Sequence, residues 1–161
     1  MQLAYISHPT GVCNAAAYVE GRIIDLQAAE IMAFGKPDPM FDNLINLFKT
    51  GEHGLDRAEL HVKSAANAGI WLDAENVTFL PPTIPSVFLG LGYNYRKLTL
   101  HEGLPLNKHP ELFAKMPGSA VGHKHPIRVP RCIDKIDYEA ELGVVIGRMA
   151  RRVKAKDALS Y

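Results

Sequence analysis

The run Asp137-Tyr138-Glu139-Ala140-Glu141-Leu142-Gly143-Val144-Val145-Ile146-Gly147 constrains the fold more than any other stretch of the sequence. It has the period of an extended strand, in which successive side chains point to opposite faces. Read so, Glu139 and Glu141 share one face with Gly143 and Val145. Ala140, Leu142, Val144 and Ile146 fill the other, which is the face expected to pack into a core. Two residues along a strand span roughly 6–7 Å, so two long carboxylate side chains can converge on one cation. Like charges held beside an apolar face are costly unless something positive neutralises them. A hard divalent ion that prefers oxygen ligands, Mg2+ or Mn2+, answers that need. The competing reading is a Glu-x-Glu pair on a solvated strand face, with no ligand.

Two further stretches bear on the choice. Gly90-Leu91-Gly92-Tyr93-Asn94-Tyr95-Arg96 precedes Leu112-Phe113-Ala114-Lys115-Met116-Pro117-Gly118-Ser119-Ala120, and both precede the Glu-x-Glu run. The first is similar to the Gly-x-Asn-Tyr segment of the fumarylacetoacetate hydrolase family, and the second to its Phe-x-Lys-Pro-x-Ser stretch. Residues 137–147 resemble that family's metal-binding strand. The three matches stand in the family's order, and the resemblance runs from about Ser86 to the C-terminus. It implies an α+β fold: a small N-terminal strand and helix region over 1–80, then the first part of a catalytic domain, the start of a mixed β-roll, over 86–161. In the family a helix here leads into a strand bearing a third metal-ligating aspartate, and the sequence reaches Tyr161 before it. The chain therefore reads as a truncated fragment, expected to be inactive alone.

The resemblance also implies a function. Family members are hydrolases and related enzymes that act on small 2-oxo or diketo acids, and C–C bond hydrolysis is the expected reaction. Oxaloacetate decarboxylation, isomerisation of a muconate-derived oxo acid and a non-catalytic remnant are the alternatives. A divalent metal, Mg2+ or Mn2+, held by Glu139 and Glu141, would act as a Lewis acid on the 2-oxo group. The family's proton shuttle follows Asn-Tyr-x-x-His, with a glutamate about a turn later. Leu98 fills the histidine position here, and His101 stands at the usual glutamate position, followed by Glu102. His101 and Glu102 are the catalytic candidates if that segment adjusts as a loop, and otherwise solvated lid residues. The departure weakens hydrolysis by an activated water more than it weakens metal binding. Lys115 and Arg96 are candidates to grip a substrate carboxylate, Arg through a bidentate fork and Lys as a point charge. Tyr95 and Ser119 are expected to contribute hydroxyls. Pairing as a homodimer is expected on the family's habit.

Other features are ordinary. The 161 residues are 47% hydrophobic and 22% charged, with a net charge of +1, which fits a soluble globular protein and not a general nucleic-acid or membrane-surface binder. No apolar run reaches the roughly 18–20 residues of a membrane span, and the N-terminus lacks a signal-peptide pattern. Cys13 and Cys132 read as reduced thiols, and the expected location is the cytoplasm. Along the chain, 2–6, 15–19 and 22–26 read as strands, with Glu20-Gly21 as a hairpin turn. Residues 27–68 are helical in pattern, with Gly51 as a stop, and Pro81, Pro82 and Pro85 mark a linker. His123-x-His125 and the basic run Arg148, Arg151, Arg152, Lys154 and Lys156 read as turn and solvated surface.

Overall fold

The computed structural model describes residues 1–161, apart from the side chain at position 117. It divides into two compact units, Met1–Pro82 together with Gly122–Tyr161, and Thr83–Val121.

The first unit is built on a five-stranded antiparallel sheet. Strands β1 (Gln2–Ser7), β2 (Cys13–Val19) and β3 (Arg22–Asp25) form a meander, β4 (Leu72–Asp73) adds to β3, and β5 (Thr78–Leu80) adds to β1. Val19 pairs with Arg22 across the two-residue turn Glu20-Gly21. Both turn residues take positive φ, 51° and 86°, the conformation whose twist matches the flanking strands. Alternation then sorts the meander's side chains. Ala15, Ala17 and Ile24 face one cluster, and Ala16 and Ile23 join Ile6 on the other.

Helices α1 (Leu26–Phe34), α2 (Leu44–Lys49) and α3 (Glu52–Ala68) supply Leu26, Leu44, Leu47, Ala58 and Ala65 to the first cluster. Phe41, from a short 3-10 turn, completes it. Each such large side chain contributes about 1.5–3 kcal/mol by leaving water. The helix starts are capped as the sequence allows. The Asp25 carboxylate accepts from Ala28 N at 2.9 Å, and Asn43 accepts from Asn46 N at 2.8 Å. Gly35, at φ 73°, closes α1 by donating its N–H to Ile31 O, the left-handed ending that glycine adopts without a Cβ penalty. After the predicted stop at Gly51 the next helix begins at once, at Glu52. Gly54 lets this helix approach the end of α2: a Cβ there would stand 1.9 Å from Thr50 Oγ1.

In the second unit, β6 (Phe88–Gly92) pairs antiparallel with β7 (Glu111–Lys115), and helix α4 (Arg96–His101) lies between them in sequence. The helices and antiparallel sheets are those of an α+β chain. The start of a mixed roll is not seen among the described residues, where every strand pair is antiparallel.

Residues 137–147 depart from the strand that their alternation predicts. No strand forms there, and Leu142, Val144 and Ile146, expected in a core, are 82%, 75% and 65% exposed. A strand is held by N–H and C=O bonds to a neighbour, and among the described residues no strand pairs with this segment. Alternation sets which side chains share a face but supplies no neighbour. The longer stretch 122–161 is anchored at its own start instead. Gly122 is buried against β5, where a Cβ would come within 1.8 Å of the Phe79 carbonyl oxygen, and the His123 ring meets Phe79 edge-on at 5.6 Å.

Candidate functional site

One group of candidate residues lies around the end of β6. The strand carries Gly90 opposite Phe113 of β7, and the Phe113 ring covers Gly90 closely enough that a Cβ would clash with it. After Gly92, Tyr93 turns the chain through a left-handed conformation, φ 49°, which is uncommon for a residue with a side chain. Thr99, buried to 1% exposure on α4, ties this turn to the helix. Its hydroxyl lies 3.2 Å from the carbonyl oxygens of both Tyr93 and Tyr95, in position to donate to either. Arg96 is thereby set at the first position of α4.

The turn and the loop before β7 enclose a cleft of about 410 Å3, lined by Asn94, Arg96, Asn107, Lys108 and His109 with Leu91, Tyr93 and Leu106. Two permanent cations and a histidine line it. Asn107 Nδ2 donates to the Glu111 carboxylate at 3.3 Å, which fixes one amide at the rim. Such a wall suits a small anion, which Arg can grip through a planar fork and Lys through a point charge.

The structure brings only some of the expected residues into this cleft. Arg96 lines it. Tyr95 caps the start of α4, while His101 and Glu102 end that helix, exposed, before Gly103 turns the chain at φ 72°. Neither of the last two is among the residues lining the cleft. Lys115 ends β7 opposite Phe88, with its ammonium 5.8 Å from the centre of the Phe113 ring. The Ser119 hydroxyl donates to Met116 O at 2.7 Å and so serves its own turn. Sequence reading missed Lys108 and His109, which stand in a loop without periodicity. Their one signal is a Lys-His pair just before a proline, between two segments that already pointed to a site.

Glu139 and Glu141 lie in the other unit, with exposed side chains on the irregular segment. Their carboxylate oxygens are the donor type that Mg2+ and Mn2+ take, but two donors leave most of a six-oxygen shell to other groups. Among the described residues, no three His, Cys, Asp or Glu side chains gather as a metal site. The pair therefore fits such an ion in kind and does not complete its coordination. Both cysteines are free thiols, and no helix is long and apolar enough to cross a membrane.

Residues 87–161 match the family model described as fumarylacetoacetate (FAA) hydrolase, C-terminal. Over 143 residues the chain is 33% identical to the Xenopus laevis protein named oxaloacetate tautomerase fahd2, mitochondrial, a match covering 88% of this chain and 41% of the relative. It is 35% identical over 91 residues to human oxaloacetate tautomerase FAHD2A, mitochondrial, covering 56% of this chain and 29% of that protein. A putative hydrolase of Burkholderia cenocepacia is 39% identical over 74 residues, 46% of this chain and 26% of its own. The matched part of the chain thus spans well under half the length of these relatives.

Proposed function

The chain belongs to the fumarylacetoacetate hydrolase family through residues 87–161, and we propose that it serves proton transfer next to the carbonyl of a small 2-oxo acid. The single observation that carries this reading is the cationic cleft of Arg96, Lys108 and His109 beside the Gly90-to-Arg96 turn. A 2-oxo acid presents a carboxylate for Arg96 and Lys108 to hold and orient. Removing a proton from the carbon beside the carbonyl leaves negative charge on the carbonyl oxygen, and cationic or donor groups aimed there lower the barrier. His109 is the imidazole among the residues lining the cleft and the candidate to take or return the proton. The relatives named oxaloacetate tautomerases support this class over C–C hydrolysis. Hydrolysis asks in addition for an activated water, and the family's histidine position holds Leu98.

Within the same proposal, Glu139 and Glu141 hold a divalent cation, Mg2+ or Mn2+. When bound, the cation supplies Lewis acidity that eases loss of a proton beside a 2-oxo group. The chain acts as a homodimer in the cytoplasm, on a small molecule and not on nucleic acid or membrane. His101, Glu102, Tyr95, Lys115 and Ser119 do not line this cleft, so the proton-shuttle and substrate-contact roles proposed for them rest on the family resemblance alone.

The test is titration of the 161-residue chain with pyruvate, followed by backbone amide NMR shifts. Shifts centred on residues 92–96 and 106–110 are expected, with affinity about tenfold weaker in Arg96→Gln, the loss of one charge-assisted hydrogen bond. Unchanged affinity in both Arg96→Gln and Lys108→Gln would sink the reading. For the cation, Mn2+ binding followed by its spin-resonance signal should weaken in Glu139→Gln and Glu141→Gln. Equal affinity in both variants would remove these residues from the assignment.

A further inference from the structure

Both walls of the cationic cleft are tied to one residue that does not line it. The first wall runs through Tyr93 and Asn94 to Arg96, and the second through Leu106 to His109. Both belong to the unit Thr83–Val121. Thr99 stands between them in sequence, on α4, and is 1% exposed. Its hydroxyl and both of its backbone polar groups are engaged.

Toward the first wall, Thr99 N donates to Tyr95 O at 3.0 Å, and Oγ1 lies 3.2 Å from both Tyr95 O and Tyr93 O. A hydroxyl that bonds back to the carbonyl four residues earlier is a common habit of threonine in helices. The Tyr93 contact is not part of that habit. Tyr93 lies outside α4, in a left-handed turn at φ 49°, and among the described residues no backbone N–H donates to its carbonyl. A hydroxyl has one proton to give. Tyr95 O already accepts from the Thr99 N–H, so the carbonyl that depends on this proton is that of Tyr93. Toward the second wall, Thr99 O accepts from Leu104 N at 3.0 Å, while Gly103, at φ 72°, donates to Leu100 O at 3.1 Å. Those two bonds form a Schellman ending. They fix the direction in which the chain leaves α4, two residues before Leu106 enters the cleft.

We propose that Thr99 is the positioning residue of this cleft: its buried hydroxyl holds the Tyr93 turn, and through it Arg96, in place relative to Lys108 and His109. The proposal rests on the cleft being the site of a 2-oxo acid. An anion gripped from two loops binds well only if both are in place before it arrives, because ordering either one on binding costs affinity. Tyr93 holds a conformation uncommon for a residue with a side chain, so its turn needs the support. Thr99 touches no ligand and acts through Arg96. The methyl of its side chain has a different task, packing, and the two can be separated.

The experiment titrates the intact chain with pyruvate, followed by NMR. Thr99→Val keeps the branched shape and loses the hydroxyl, while Thr99→Ser keeps the hydroxyl and loses the methyl. Affinity should fall roughly fivefold in Thr99→Val and equal the parent's in Thr99→Ser, although the serine variant should melt below the parent. A purely structural Thr99 would give affinities that follow Tm. Added to Arg96→Gln, Thr99→Val should cause no further loss, since the two act as one unit. In the free chain, the Tyr93 carbonyl 13C resonance should move in Thr99→Val and stay in Thr99→Ser. Should the valine variant lose the folded amide spectrum, Thr99→Ala, a better helix former, replaces it with the same outcomes expected. The proposal alone is overturned if Arg96→Gln weakens binding and Thr99→Val does not. It is likewise overturned if Thr99→Ser binds as weakly as Thr99→Val, if the two losses add in full, or if the Tyr93 resonance stays put in Thr99→Val. A parent chain that does not bind pyruvate overturns the 2-oxo acid reading, and this proposal with it.

Discussion

Residues 1–82 and 122–161 belong to one compact unit and are both well supplied with apolar side chains, yet they treat them differently. In the first segment, Ile6, Ile23, Leu26, Phe41 and Leu47 are fully buried. In the second, Ile136, Leu142 and Met149 lie 70%, 82% and 95% exposed. The supply of hydrophobic side chains is not what separates them. The first segment pairs its own strands through short turns and covers the sheet with its own helices, so backbone bonds and apolar burial are satisfied together. The second carries a strand's side-chain pattern with no ladder to join, and its backbone takes no regular form until the 3-10 turns of Ala155–Ser160. Burial follows from having a neighbour, and the neighbour is a property of topology.

The largest effect expected from this contrast is in packing. Phe41→Ala should cost about 3–5 kcal/mol in urea unfolding, while Val144→Ala, at a 75% exposed site, should stay within about 0.5 kcal/mol. Comparable losses at both positions would mean that 137–147 is packed, and would end the comparison. A smaller effect is expected where the two segments meet. Gly122→Ala pushes a methyl onto the Phe79 carbonyl and should cost about 1–3 kcal/mol as overpacking. Stability equal to that of the parent would show that 122–161 is not seated on β5. The smallest effect tests the exposed surface of the first segment. Glu59 accepts from Lys63 at 2.9 Å, one helical turn on, and this hydrogen bond, then the Lys63 charge, hold its carboxyl below the ordinary range. A depressed carboxyl contributes stability above its unfolded pKa and loses it as pH falls through the folded value. Glu59→Gln should therefore lower Tm slightly at pH 7 and leave it unchanged at acid pH. A difference that persists at acid pH would point to something other than this charge pair.

The sequence made the local parts of the molecule readable and left the long-range parts dark. The strands over 2–6, 15–19 and 22–26 and the hairpin turn at Glu20-Gly21 were readable, because a two-residue turn leaves one register. The stop at Gly51 was visible for the same reason, as a demand of the backbone at that residue. The strand over 137–147 was misread because its alternation is a statement about faces alone. Arg96 was found through the Asn94-Tyr95 pair beside it. Lys108 and His109 needed the loop to be folded back toward that pair before they meant anything. The cluster in which buried Glu30 pairs with Arg57 and His61 was hardest to see, since each residue taken singly reads as surface. A clue was present in the spacing. Glu30 follows Leu26 by four residues and so lies on the buried face of α1, and Arg57 and His61 are four apart on α3.

The antiparallel meander also carries a timetable. Strands β1, β2 and β3 are joined by short connections, so their pairing closes small loops at low entropic cost and should come early. Strand β5 is different. It pairs Phe79 with Ile6, and the whole helical layer must be threaded between those two residues before they meet. The slow step of assembly is therefore the arrival of a three-residue strand at an edge that is already built. Gly122, where the chain returns to this unit and packs against Phe79, has nothing to rest on until that strand has landed.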